Sequence, residues 1–151
     1  MASDLTLKVQ FEIAQIDRLL ETYADLLVRA QQTTPDLVEI AALATVLHSF
    51  YNGLENIFQL VAKRLDMGMP RGATWHRDLL AQMAEARSHR TSVISITTAR
   101  RLTEYLGFRH VFRHAYAFIL DWRDLQVLVL PLADVWAQTK QELLAFLETL
   151  R

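Results

Sequence analysis

The chain has 151 residues, of which 52% are hydrophobic, and it contains 4 glycines, 3 prolines and no cysteine. This composition predicts one folded domain over residues 1–151 and argues against intrinsic disorder. The absence of cysteine excludes disulfides and thiolate chemistry. A net charge of −1 argues against a bulk electrostatic affinity for nucleic acid.

The N-terminal part of the chain predicts two long helices. Apolar residues recur at helical spacing from Val9 to Leu27, which predicts a first helix over about residues 5–30. Thr34 offers an N-cap with Pro35 at the first helical position, and the second apolar stripe extends to Leu65. Two such helices are long enough to pair along their length.

The middle of the chain is predicted to contain shorter helices and more loops than the N-terminal part. Residues 66–74 contain two glycines and a proline and predict a loop. Thr74 can cap a short helix that reaches about Arg87. The polar and β-branched stretch 88–96 has no helical period, so it is expected to be mobile.

Two more helices are predicted after this stretch. Thr97 or Thr98 begins a helix that Gly107 is expected to interrupt, and a separate helix is predicted over about residues 108–120. The motif that carries the chemistry, described below, lies on this separate helix.

The last predicted helix begins at Asp121 and reaches about residue 150, with Pro131 causing a kink or lying near a break. No strand pattern or internal repeat is evident, so an all-α, up-and-down bundle of about five helices is predicted.

The stretch Leu125–Ala137 is too short and too polar to span a membrane. No basic-then-apolar leader is apparent, so we expect a cytoplasmic protein without membrane association.

The segment from Arg109 to Tyr116 reads Arg-His-Val-Phe-Arg-His-Ala-Tyr. On a regular helix its arginines, histidines and tyrosine share one face, and its apolar side chains share the other. Arginine binds phosphate, and histidine can transfer protons near neutral pH.

Arginines also outnumber acidic residues over the longer segment between Arg87 and His114. This excess predicts a basic zone that holds RNA. Alternatively, the arginines outside the motif form an ordinary solvated face.

The pattern Arg109-x4-His114-x-Tyr116 resembles the signature of the HEPN superfamily. The chain looks most like the HepT branch, the ribonuclease toxins of HepT/MntA toxin–antitoxin pairs. Segments 50–55 and 75–80 are similar to the same subgroup, so the resemblance is loose over most of the chain and close over 108–122. The chain departs from the family's commonest form, because His110 stands where that form has asparagine.

The resemblance implies a HEPN-like homodimer that cleaves RNA between its protomers without metal or other cofactor, leaving 2′,3′-cyclic phosphate and 5′-hydroxyl ends. It implies that Arg109 stabilises the phosphate and that His114 transfers a proton. It also implies that an MntA-like nucleotidyltransferase antitoxin modifies Tyr116 with AMP. Arg113 and His110 are expected to bind flanking phosphates. His110 and His114 have a zinc-binding spacing, but no nearby carboxylate or cysteine completes a site, and no metal is expected.

On a regular helix Arg109 and His114 lie about 140° apart, so one helix cannot easily aim both at one atom. Two copies facing each other across a two-fold axis could line a shared cleft. Alternatively, an irregular turn set by Gly107 could bend Arg109 toward the same side. The sequence leaves both arrangements open.

A polar stripe on the second helix contains His48, Asn52 and Glu55. It could support the catalytic helix or a dimer contact, and Glu55 could pair with an arginine of the motif, although such stripes are more often solvated. Trp75, His76 and Trp122 are interpreted as packing or interface residues.

Three functions remain open from the sequence. The first is the ribonuclease toxin, which needs His114 for turnover. The second is a non-catalytic HEPN subunit that positions nucleotide or target for a partner nucleotidyltransferase. The third is a helical bundle whose motif is only an interaction face, with a solvated His114 and a Tyr116 packed at a helix interface.

Overall fold

The computed structural model describes residues 2–114 and 116–151, and this part of the chain is helical with no strand. The helices are α1 (Ala2–Thr22), α2 (Ala24–Gln32), α3 (Leu37–Leu65), α4 (Trp75–Met83), α5 (Ile96–Phe112), α6 (Trp122–Val129) and α7 (Leu132–Glu148), with a short 3-10 helix at Ala117–Ile119. The predicted all-α class is confirmed. The seven α-helices in the described part of the chain outnumber the predicted bundle of about five, because the first and the last predicted helices are each divided, although the two predicted on either side of Gly107 form one helix.

The first division falls at Tyr23, which separates α1 from α2 without a glycine or proline. The next helix begins later than predicted, because Asp36 and not Thr34 is its N-cap. The Asp36 carboxylate accepts a hydrogen bond from the Glu39 amide at 2.8 Å, and the Glu39 carboxylate accepts one from the Asp36 amide at 3.1 Å. This reciprocal capping box fixes the start of α3.

Helix α3 lies at the centre of the bundle and runs antiparallel to α1. Arg64 near its end binds Asp4 near the start of α1 at 2.7 Å, while Gly53 in its middle lies against Ile16. By length and composition alone α3 could cross a membrane. A helix surrounded by other helices has the same apolar composition, and Phe50, among others on α3, is fully buried.

Helix α5 packs antiparallel to α3 and carries the first part of the motif. It continues through Gly107 without interruption and ends at Phe112, so the predicted separate helix over 108–120 is wrong. Ser95, not Thr97 or Thr98, is the N-cap, and its hydroxyl accepts a hydrogen bond from the Thr98 amide. Gly107 is tolerated in a helix that packing stabilises.

The segment between α4 and α5, which was expected to be mobile, is tied to the core. Helix α4 ends at Met83, and the fully buried Arg90 side chain binds both carboxylate oxygens of Asp66 at 2.7 Å. The Val93 amide donates to the Met83 carbonyl at 2.8 Å. Further along, Pro131 separates α6 from α7, as its position in the sequence predicted.

Candidate functional site

Arg109 is buried on the side of α5 that faces α3. Its Nη1 donates to Glu55 Oε1 at 2.9 Å, and both side chains are less than a tenth exposed. The guanidinium also lies over the Tyr51 ring, 5.7 Å from the ring centre. The proposed pairing of Glu55 with an arginine of the motif is therefore present, and Glu55 does not belong to a solvated face.

His76, at the start of α4, contacts this ion pair. Its Nδ1 lies 2.8 Å from Glu55 Oε2, and Arg109 Nη2 lies 3.3 Å from the same nitrogen. The Trp75 ring stacks on the imidazole with centres 3.6 Å apart. Sequence reasoning interpreted His76 as a packing residue, because its partners lie on two other helices and no local spacing indicates them.

A cavity of about 290 Å³ opens between the start of α4 and α5. It is close to the lower limit of about 300 Å³ for pockets that hold small ligands. Its lining includes no acidic residue, and its charged or titratable members are Arg77, Arg109, Arg113, His76 and His110. We call it the cationic cavity. Within the described part of the chain, neither Arg77 nor Arg113 forms an ion pair.

His114 lies outside the cationic cavity, in the turn that follows α5. Its amide donates to the Val111 carbonyl at 3.1 Å, and its exposed ring lies 5.3 Å from that of His110. One protomer therefore does not place His114 and Arg109 in a common cavity. Since α5 is regular at Gly107, the bend that could have brought Arg109 to the other side is absent.

Tyr116 is 74% exposed and stacks on Phe118, with ring centres 5.5 Å apart. It follows the end of α5, so the helical projection that placed it on the same face as Arg109 does not apply. Its exposure also differs from that of a tyrosine packed at a helix interface. Ala115, within the motif, lies outside the described residues.

Two buried polar atoms on α3 lack hydrogen-bond partners among the described residues. They are His48 Nδ1 and the Tyr51 hydroxyl. Burial lowers the pKa of His48, and the charges of Arg109 and Arg113 lower it further, which favours neutral imidazole. Burial also raises the pKa of Tyr51, with a further contribution from Glu55.

The other residues of the polar stripe on α3 have fewer contacts with the site than Glu55 has. Asn52 is half-buried on α3, and the His48 ring packs against Phe112 with centres 5.4 Å apart. These contacts are consistent with support of α5.

Among the described residues, no group of three or more His, Cys, Asp or Glu side chains is arranged to hold a metal ion.

The basic zone predicted between Arg87 and His114 carries less free positive charge than its number of arginines indicates. Several of its arginines are paired with carboxylates: Arg87 with Glu85, Arg90 with Asp66, Arg101 with Asp134 and Arg109 with Glu55. The fully buried Arg90 has a structural role. Of the other two arginines of the zone, Arg113 lines the cationic cavity and Arg100 is exposed outside it.

A family model described as HepT-like protein matches residues 42–150, which is well over half of the chain and includes α4 to α7 and most of α3. The fold and this match define the class as a HEPN-type, toxin-related protein of a family generally associated with ribonucleases. The chain belongs to the HepT-like family of the HEPN superfamily. No curated protein and no solved structure matches the chain.

Proposed function

We propose that this protein is a metal-independent endoribonuclease toxin of a HepT/MntA-type pair, acting in the cytoplasm on RNA, with tRNA as the first substrate to test. The observation that carries the proposal is Arg109 of the family motif, held by Glu55 at the wall of the cationic cavity. An always-charged guanidinium in a fixed orientation suits a crowded phosphate.

The chemistry uses the RNA's own nucleophile. A base removes the 2′-hydroxyl proton, and the 2′-oxygen forms a bond to phosphorus as the bond from phosphorus to the 5′-oxygen breaks. An acid gives a proton to the departing 5′-oxygen, so the products are a 2′,3′-cyclic phosphate and a 5′-hydroxyl. Arg109 stabilises the phosphate, His114 transfers a proton, and Arg113 and His110 bind neighbouring phosphates.

The active unit we propose is a homodimer. One protomer separates His114 from the cationic cavity, and a second copy can supply the missing group. Large apolar side chains also remain exposed on the last turn of α5 and just after it, as expected of a surface that another chain covers. They are Val111, Tyr116, Phe118 and Ile119, each more than half exposed.

Regulation is proposed to act at Tyr116. Its exposed hydroxyl is accessible to an MntA-like nucleotidyltransferase antitoxin. Transfer of AMP from ATP would form a bond from this oxygen to the α-phosphorus, with release of pyrophosphate and of the hydroxyl proton. The product would carry a negatively charged phosphodiester and a bulky base beside the cationic residues, which would hinder RNA binding.

The test is cleavage of total tRNA by purified protein in EDTA, with wild type beside Arg109→Ala and His114→Ala. We expect cleavage with cyclic-phosphate ends in the wild type, and a loss of at least about 100-fold in each variant, as is usual when an acid–base or phosphate-binding group is removed. Intact mass must first show that the wild-type protein carries no AMP.

One observation favours a second function. The Arg109 guanidinium is buried and already bound to Glu55, as in a purely structural ion pair. A non-catalytic HEPN subunit that positions nucleotide or target for a nucleotidyltransferase would retain this arrangement. Unmodified wild-type protein that binds RNA without cleaving it would support this alternative over the ribonuclease.

A further inference from the structure

We infer that His76 is a second catalytic histidine and acts as the general base that removes the 2′-hydroxyl proton of the RNA. This inference rests on the proposed ribonuclease function and deepens it. His76 lies outside the motif Arg109-x4-His114, and its contact with Glu55 brings it to the site.

The position of His76 differs from that of a histidine used only for packing. Its side chain is 27% exposed and lines the cationic cavity, while the carboxylate that binds it is 6% exposed. Trp75 covers one face of the ring. The imidazole is therefore fixed on one side by protein and open on the other to the cavity that holds Arg109.

Glu55 selects the tautomer of His76. With Nδ1 protonated, the imidazole donates to Glu55 Oε2 at 2.8 Å, and Nε2 then carries the lone pair. No hydrogen bond to this Nε2 is present within the described residues. A carboxylate that orients a histidine in this way leaves the opposite nitrogen available to accept a proton.

Glu55 thereby connects two functions. Oε1 holds Arg109, the proposed phosphate ligand, and Oε2 holds His76, the proposed base. A phosphate bound at Arg109 would bring the adjacent ribose close to the imidazole. The proton of the 2′-hydroxyl moves to His76 Nε2, the 2′-oxygen bonds to phosphorus, and His114 gives a proton to the 5′-oxygen as its bond to phosphorus breaks.

The decisive variant is His76→Asn. Its side-chain amide can keep the hydrogen bond that Nδ1 makes to Glu55, but it has no group equivalent to Nε2. The matched control is His89→Gln, since His89 also binds a buried carboxylate, at 2.7 Å from Asp66, and does not line the cationic cavity. Glutamine keeps the donor at the position of His89 Nε2, so this variant should cleave RNA as the wild type does.

We expect His76→Asn to cleave RNA at least about 100-fold more slowly than wild type. Its affinity for a 2′-O-methyl RNA, which lacks the nucleophile, should be unchanged within about threefold, because its contribution is to proton transfer. An unchanged melting temperature would confirm that the variant folds. If it does not fold, His76→Gln, whose amide nitrogen also cannot act as a base, is used for the cleavage assay.

The assignment as base is tested with a substrate whose scissile 5′-oxygen is replaced by sulfur. A thiolate leaves without protonation, so this substrate should restore cleavage by His114→Ala but not by His76→Asn. Cleavage by His76→Asn within about threefold of wild type, or its restoration by the sulfur substrate, would overturn the inference alone. A wild-type protein that cleaves no RNA would overturn the proposed function and this inference with it.

Discussion

Two buried arginine–carboxylate pairs in this protein differ in what surrounds the carboxylate. Asp66 accepts hydrogen bonds from Arg90, Gln82 and His89 and is fully buried. Glu55 binds Arg109 and His76 at the edge of a cavity. The first pair is closed and joins the segment before α5 to the end of α3, whereas the second is open to a ligand.

The closed pair of Asp66 and Arg90 should make the free energy of unfolding depend on pH in the acidic range. Burial by itself raises the pKa of Asp66, but hydrogen bonds from Arg90, Gln82 and His89 outweigh it and hold the pKa well below the usual 3.8. Because the folded pKa is the lower one, the stabilisation is fully present above the unfolded value. It is lost as the pH falls from about 4 toward the folded pKa.

Asp66→Asn should therefore lower the free energy of unfolding at pH 7 by about 3–5 kcal/mol, since it leaves Arg90 buried without a counter-charge. Its stability should also fall less steeply than that of the wild type below pH ~4. Urea unfolding between pH 7 and 2 measures both. Asp134→Asn, which removes an exposed partner of Arg101, is the control and should change stability by less than about 1 kcal/mol. Parallel acid profiles for Asp66→Asn and wild type would contradict the assignment.

Among the elements, apolar stripes predicted that helices exist, but not where they end. Pro131 marked a real break because it removes a backbone donor. Tyr23 gave no such signal, and Gly107 gave a misleading one, since packing of α5 against α3 outweighs the weak helix propensity of glycine. In the site, helical spacing placed Glu55 on a polar stripe that could meet an arginine of the motif. No such spacing indicated His76, which reaches Glu55 only through packing of α4 against α3.

The contact between α1 and α3 depends on the absence of a side chain at Gly53. A Cβ there would lie 2.8 Å from Ile16 Cγ1, closer than real Cβ atoms come. Gly53→Ala should lower the free energy of unfolding by about 1–3 kcal/mol despite its better helix propensity. Gly107→Ala is the matched control, because apart from its own stretch of helix no atom lies within 4 Å of its Cβ position, and it should stabilise by about 0.5–1 kcal/mol. Urea denaturation measures both changes, and a destabilisation of Gly53→Ala that persists in an Ile16→Ala background would show that this contact is not the cause.

At the scale of the whole molecule, the proposed site requires Arg109 of one protomer and His114 of the other. This arrangement can be tested with heterodimers purified through two different tags. In a heterodimer of Arg109→Ala with His114→Ala, one site would hold both intact residues and the other neither. About half of the wild-type cleavage rate should therefore return, although each homodimer is inactive.

The reciprocal heterodimer makes the test decisive. A protomer carrying both substitutions, paired with a wild-type protomer, would damage both sites if Arg109 and His114 act across the interface, so it should be inactive. If both residues instead acted within one protomer, this heterodimer would keep half of the activity and the first would have none. The exposed surface beyond α5 predicts the across-interface result, because His114 lies there and outside its own protomer's cationic cavity.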